Sequence, residues 1–212
     1  MQLYNYYRSS ASYRVRIALA LKGLEYVYKP VHLARDEHLA ESYAAVSRSR
    51  LVPQLQDGEH ALSQSLAIIE YLDETHPEPP LLPKDPHHRA YVRALALDIA
   101  CEIHPLNNLR VLRYLVRDLG LSEEQKNRWY QHWVDTGLTA VEQRLTHEGL
   151  SGAFCFGEQP GLADCLLVPQ IYNAKRFNCR LDHLPTLMAI HDRCMALPAF
   201  SQTAPELCPD AD

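Results

Sequence analysis

Arg8, Ser9 and Ser10 lie between a short apolar and aromatic run, Leu3–Tyr7, and a helix-spaced apolar pattern at Val15, Ala18, Leu19 and Leu21 that stops at Gly23. Adjacent hydroxyls at the mouth of a helix have two uses. One serine can cap the helix by accepting a first-turn N–H. The pair can also join the free N–H groups of that turn and hold an anion: a carboxylate, a phosphate or a thiolate. Both uses are open from this stretch alone. The chain carries neither G-x-G-x-x-G nor a Walker A sequence here, which argues against dinucleotides and nucleoside triphosphates and leaves a smaller anion.

Two later stretches extend that chemistry. Val52–Pro53 opens a short strand, and a cis bond there would fix a backbone bend able to present the peptide groups of Val52 to a peptide-like ligand. Gln64–Ser65 stands before a helix carrying Ile68, Ile69 and Leu72, so a second helix mouth is available to a second carboxylate. His104 and Asn108 are four apart and are expected on one helix face, where they border a cleft or are simply solvated polar residues. Arg176 ends a late helix; its fork suits a carboxylate, with a plain surface arginine as the other reading. Cys101 and His104 lack a third and fourth ligand, so no metal site is expected.

The elements that would position these residues fall into two groups. Leu3–Tyr7 reads as a strand, Tyr26–Val31 as an edge strand marked by Pro30, and Val52–Leu55 with His60–Leu62 as a hairpin about Asp57–Gly58. With the helices near 15–23 and 65–74 this gives β-α-β then β-β-α. Arg35–Val46 reads as irregular or as a short helix. Prolines 77, 79, 80, 83 and 86 mark a linker, and every later pattern is helical. Arg89–Leu119 reads as one long helix or as two halves interrupted at Pro105, Ser122–His147 as another helix opened by a Ser122/Gln125 capping box, and Asp164–Phe177 and Leu184–Leu197 as shorter ones. The fold class is α/β plus all-α, with domains expected at 1–80 and 89–212 and the linker at 81–88.

The chain has 212 residues and a net charge of -5, which gives no nucleic-acid footprint, and its apolar runs are too short to span a bilayer. Its six cysteines include no C-x-x-C and no secretory leader is visible, so a reduced cytoplasmic protein is expected.

Taken in order, six stretches resemble the zeta class of glutathione transferases, which includes the maleylacetoacetate and maleylpyruvate isomerases. They are Y-R-S-S-A-S-Y-R-V-R-I-A-L at 7–19, V-P-Q-L at 52–55, Q-S-L-A-I-I-E-Y-L at 64–72, P-L-N-N-L at 105–109, F-C-F-G at 154–157 and L-A-D-C-L-L-V-P-Q-I-Y-N-A-K-R-F at 162–177. The resemblance implies a thioredoxin-like N-terminal domain that binds glutathione and a helical C-terminal domain that binds substrate. It assigns Ser9 to the thiolate with Ser10 as a second donor, Val52 and Pro53 to the cysteinyl backbone, Gln64 and Ser65 to the glutamyl carboxylate, and His38 to the glycyl end. Arg8 and Arg176 would hold substrate carboxylates, while His104 and Asn108 would serve the enolate oxygen or, for Asn108, glutathione.

The implied reaction is conversion of maleylpyruvate to fumarylpyruvate by reversible thiolate addition, a step in aromatic degradation of the gentisate type. The arginine pair tips the reading away from maleylacetoacetate and tyrosine breakdown. A conjugating transferase and a glutathione-binding protein without turnover are the alternatives, and a homodimer without membrane or nucleic-acid partners is implied. Two positions depart from the family pattern. Ala11 stands where a cysteine is usual, and Gly161 where a threonine normally caps the helix whose third residue is Asp164. Asp164 is therefore read as structural.

Overall fold

The computed structural model describes residues 1–211, and the chain divides into two compact units. The first comprises Met1–Leu81 together with the chain from Met195 onward; the second is Leu82–Cys194. The tail from Met195, given to the helical domain by its pattern, thus closes on the first unit.

In the first unit β1 (Gln2–Asn5), α1 (Ser10–Leu21) and β2 (Val27–Pro30) form the βαβ half. After α2 (Glu41–Ala44), strands β3 (Gln54–Asp57) and β4 (His60–Ser63) and helix α3 (Ser65–Thr75) form the ββα half. The sheet order is β2-β1-β3-β4. β1 runs parallel to β2 and antiparallel to β3, with Leu3 opposite both Tyr28 and Leu55. Pro30 thus sits on an edge strand, where its missing N–H costs no interior ladder bond. The β3–β4 turn uses Gly58 at φ 56°, a left-handed conformation that glycine adopts without a Cβ clash. Leu3, Leu55, Ile17, Leu19, Ile68 and Leu72 are buried and make the core.

β1 ends two residues earlier than its aromatic content suggests. Tyr6 and Tyr7 leave the ladder and pack with Val31, Tyr43 and Val52 in a separate buried cluster. The proline-rich stretch is fastened by the buried Lys22, whose Nζ donates to Asp73 Oδ1 (2.8 Å) and to the carbonyls of His76 (2.7 Å) and Pro79 (2.9 Å).

The second unit holds α4 (Pro86–Leu97), α5 (Leu109–Arg117), α6 (Glu123–His147), α7 (Leu162–Arg176) and α8 (Pro185–Met195). The tail adds α9 (Pro198–Ser201) to the first unit. Of the two readings of 89–119, the structure takes the two halves: α4 and α5 are parted by a segment that contains Pro105. After α4 the helix widens to a π-helix at Asp98–Ile103, tightens to a 3-10 turn at His104–Asn107, and restarts at Asn108. Pro105 supplies no N–H and its ring crowds the preceding turn, so the irregularity begins upstream of it. Helix α6 fits closely against this segment: a Cβ on Gly137 would lie 2.3 Å from Ile103 Cγ1. The α6 start is capped as read, with Ser122 Oγ accepting from Gln125 N–H (3.2 Å) and Gln125 Oε1 accepting from Ser122 N–H (2.8 Å). No helix of the described residues is long and apolar enough to cross a membrane.

Candidate active site

Ser9 is the N-cap of α1, and its Oγ accepts from Ser12 N–H at 3.2 Å. Capping uses a lone pair, so the Ser9 O–H remains a donor, and the two uses open at the sequence level are compatible in one residue. Ser9 is half-buried, whereas Ser10, the first helical residue, is buried. The first turn of α1 carries no acidic side chain of its own to compete for the partial positive charge of its N–H groups. Ala11 lies in that turn, where it removes a thiol but keeps its backbone N–H.

Arg8 is held by the strand end before it. Its Nε and Nη2 donate to the Tyr6 hydroxyl at 3.2 and 2.9 Å, and its guanidinium lies 5.0 Å from the Tyr7 ring centroid. Tyr6, not singled out in the sequence, therefore fixes the direction of Arg8. An aromatic two residues before an arginine at a strand end was the available signal.

The Val52–Pro53 peptide is cis. Strand pairing ends at Tyr4 opposite Gln54, so the peptide groups of Val52 fall outside the ladder. The turn before them is supported by the Tyr43 hydroxyl, which donates to the Leu51 carbonyl at 2.7 Å. Burial pushes the Tyr43 phenol up to about 12, so it stays protonated as that donor. Gln64 precedes α3 with φ 68° and ψ 115°, a costly conformation for a non-glycine residue and a kind found at binding sites. No acidic side chain lies in the first turn of α3 either. Ser65 is buried and its Oγ accepts from Arg14 Nη1 at 3.2 Å. His38 lies in the 3-10 turn Glu37–Leu39, just after Asp36 at φ 59°.

The remaining candidates belong to the second unit. His104 begins the 3-10 turn and is half-buried. Asn108 is extended (φ -75°, ψ 161°), and its Oδ1 caps α5 by accepting from Val111 N–H at 3.2 Å. The shared helix face expected for His104 and Asn108 is therefore absent, because the helix breaks between them. Arg176 is the exposed last residue of α7, with its guanidinium 4.9 Å from the Phe177 ring centroid. Asp164 is buried and accepts from Gly161 N–H (2.8 Å) and Cys155 N–H (2.9 Å). It fastens the loop before α7 to that helix, a structural role, and Gly161 adds no answering side-chain bond. Burial pushes the Cys155 and Cys194 thiols up, away from reactive thiolates.

Comparison with known proteins brings these parts together. Residues 3–80 match the glutathione S-transferase N-terminal domain. The chain is 53% identical over 212 residues to a probable maleylacetoacetate isomerase of Vibrio cholerae, covering 99% of this chain and 97% of the relative. It is similar to the holo structure of a maleyl pyruvate isomerase, described as a bacterial zeta-class glutathione S-transferase, with a TM-score of 0.98, 45% identity and all of both chains covered. It is also similar to a maleylacetoacetate isomerase of Anaeromyxobacter dehalogenans with glutathione bound in its active site, with a TM-score of 0.87, 41% identity, and 100% and 97% of the two chains covered. A helix whose first turn holds no acidic side chain, a peptide group outside the strand ladder before a cis proline and an ordered match along the whole chain have one common explanation: this chain belongs to the zeta class of the glutathione transferase family, with the maleylacetoacetate and maleylpyruvate isomerases.

Proposed function

We propose that the chain is a glutathione-dependent cis–trans isomerase that converts maleylpyruvate to fumarylpyruvate. The observation that carries the reading is the α1 mouth, where Ser9 caps the helix and still keeps an O–H to donate. The donor set fits glutathione: a hydroxyl with acid-free N–H groups for a thiolate, a backbone edge at Val52 for a peptide, and a second acid-free helix mouth at Gln64–Ser65 for a carboxylate. His38 is assigned to the far carboxylate. Glutathione supplies, when bound, a thiolate that adds reversibly to the activated double bond and so frees rotation about it.

The residues of the chain do the rest. A thiol ionises near about 8.5 in water, and the Ser9 hydroxyl with the α1 N-terminus shifts that equilibrium toward the anion at neutral pH. Ser10 supports the same turn. Arg8 and Arg176 take the two substrate carboxylates and orient the alkene. His104 donates to the oxygen on which charge develops, and the amide of Asn108 assists it while its carbonyl caps α5. Ala11 fits this chemistry, since no protein thiol is needed.

A second reading, maleylacetoacetate, is favoured by the 53% identical Vibrio relative. Both substrates carry two carboxylates and differ by one methylene near the far end, so the arginine pair suits either and does not decide between them; the preference for maleylpyruvate rests instead on the TM-score of 0.98 with the maleyl pyruvate isomerase holo structure. The deciding assay follows loss of freshly made maleylpyruvate by absorbance, with and without glutathione, and identifies the product. Fumarylpyruvate with glutathione unchanged supports the proposal; a glutathione conjugate replaces it with a transferase; inactivity on maleylpyruvate with turnover of maleylacetoacetate selects the second reading.

A homodimer in a reducing cytoplasm completes the proposal. Support comes from family membership and from six cysteines that are all free. Sedimentation of the purified chain at twice the monomer mass would bear out the dimer, and monomer mass would refute it.

A further inference from the structure

The end of the chain reaches the turn that carries Arg8 and Ser9. Asp210 Oδ2 accepts from Tyr7 N–H at 3.2 Å, across 203 residues of sequence, and its Oδ1 accepts from the Tyr28 hydroxyl. The other side of the Tyr7 residue is also held, because its carbonyl accepts from Arg16 Nη2 at 3.0 Å. Ser9 N–H closes the turn onto the Tyr6 carbonyl at 3.0 Å. Tyr7 lies beyond the ladder, so no strand partner satisfies its N–H and the carboxylate takes that place.

The tail is itself anchored. Phe200 is fully buried and its carbonyl accepts from the Tyr13 hydroxyl at 2.9 Å. The Thr203 carbonyl accepts from Arg16 Nε at 3.2 Å, so a single guanidinium grips both turn and tail. Cys208 packs on the cluster of Tyr6, Tyr7 and Val52.

Resting on the reading that Ser9 serves the glutathione sulfur, we propose that Asp210 is a positioning residue for the reaction: its carboxylate fixes the Tyr7–Ser9 turn and so the placement of the Ser9 hydroxyl. It touches neither glutathione nor substrate. The Tyr28 phenol, pushed up by burial and by its bond to Asp210, stays a donor and keeps the carboxylate aimed.

The test compares full-length wild type, Asp210→Ala, Asp210→Asn and Tyr28→Phe by the thiolate absorbance of bound glutathione against pH and by the split between KM for glutathione and kcat. Asp210→Ala is expected to raise both the bound-thiol pKa and KM, with kcat/KM falling about threefold to tenfold, the worth of one hydrogen bond. Asp210→Asn, which keeps one acceptor for Tyr7, and Tyr28→Phe, which frees the carboxylate to turn, should fall between. A lower melting temperature with wild-type thiol pKa and KM would make Asp210 a tail anchor only and overturn the proposal. If Asp210→Ala does not fold, wild-type values in the other two variants overturn it equally. If wild type itself neither binds glutathione nor lowers its thiol pKa, the Ser9 reading fails first and this proposal with it.

Discussion

Ser9 combines two demands on one oxygen, and substitutions can separate them. Its lone pair caps α1, and its O–H is the donor assigned to the thiolate. Ser9→Ala removes both, so stability should drop by about 1 kcal/mol as well as activity, whereas Ser9→Gly costs only a few tenths because glycine is a tolerable cap. Loss of a donor aimed at developing charge is worth about a hundredfold in rate. Both variants should therefore lose kcat/KM to a similar extent while differing in denaturant midpoint. A Ser9→Gly enzyme with wild-type turnover would show that the helix N–H groups suffice and that the hydroxyl is only a cap. Ala11 bears on the same point: its N–H belongs to the same first turn, so the backbone contribution is unaffected by the missing thiol.

The segment between α4 and α5 packs closely against α6. Ile103 is buried, and a Cβ on Gly137 would lie 2.3 Å from its Cγ1 and 2.6 Å from its Cδ1. Alanine is the better helix former by about 1 kcal/mol, yet overpacking costs about 1–3 kcal/mol. Gly137→Ala should thus lower the urea midpoint, and adding Ile103→Val should recover part of the loss. Because His104 follows Ile103 directly, KM for substrate should rise in the single variant. A Gly137→Ala protein more stable than wild type would mean that the segment yields freely.

The α7–α8 contact predicts a pH response. His191 is buried on α8, with Nδ1 2.9 Å from Asp192 Oδ1 and Nε2 3.4 Å from Lys175 Nζ on α7. Burial holds its pKa below the usual histidine value, while the Asp192 bond opposes that shift. The unfolded chain takes up this proton before the folded one does. The stabilisation is therefore complete above about 6.5, the unfolded value, and is lost as pH falls through the folded value. Urea midpoints at pH 7.5 and 5.5 should differ less in His191→Gln than in wild type; an equal difference in both would remove His191 as the cause. At this scale the sequence was legible where a single local device decides the outcome. Gly58 set the hairpin, Ser122 with Gln125 opened α6, and Asp164 bonded Gly161 N–H as its spacing suggests. It was illegible where tertiary contacts override local preference. Tyr6 and Tyr7 have strand-forming side chains but serve a buried cluster, and the close fit of Ile103 on Gly137 of α6 is a contact between distant residues. The part of the candidate site placed on helix mouths was proposed from hydroxyls before apolar periodicity, and the structure puts Ser9 and Gln64 at the N-caps of α1 and α3. Asp210 was not legible, because its partner Tyr7 lies 203 residues away and nothing in its own neighbourhood shows the bond.

At the scale of the whole molecule, a pattern that suggests two consecutive domains conceals a discontinuous one. Residues 1–81 look self-sufficient, with four strands and two core helices, yet α1 faces the returning tail. Arg16 is buried with Asn5 Oδ1, the Tyr7 carbonyl and the Thr203 carbonyl as acceptors, and the Tyr13 hydroxyl bonds the Phe200 carbonyl. Removing the tail strips acceptors from a buried cation and a buried phenol and uncovers the surface beneath Phe200. Truncating that side chain alone, in Phe200→Ala, should cost about 3–5 kcal/mol, a large share of the roughly 5–15 kcal/mol that typically holds a domain. A fragment of residues 1–81 should therefore lack a cooperative unfolding transition and fail to bind glutathione. The same fragment carrying residues 195–212 on a flexible linker should regain both. Calorimetry of the two fragments with and without glutathione makes the comparison. A cooperative, glutathione-binding 1–81 fragment would show that the thioredoxin-like half stands alone and that the tail adds only stability. Failure of the fragment with recovery by the fusion would show that the last residues complete the domain on which the proposed thiolate site is built.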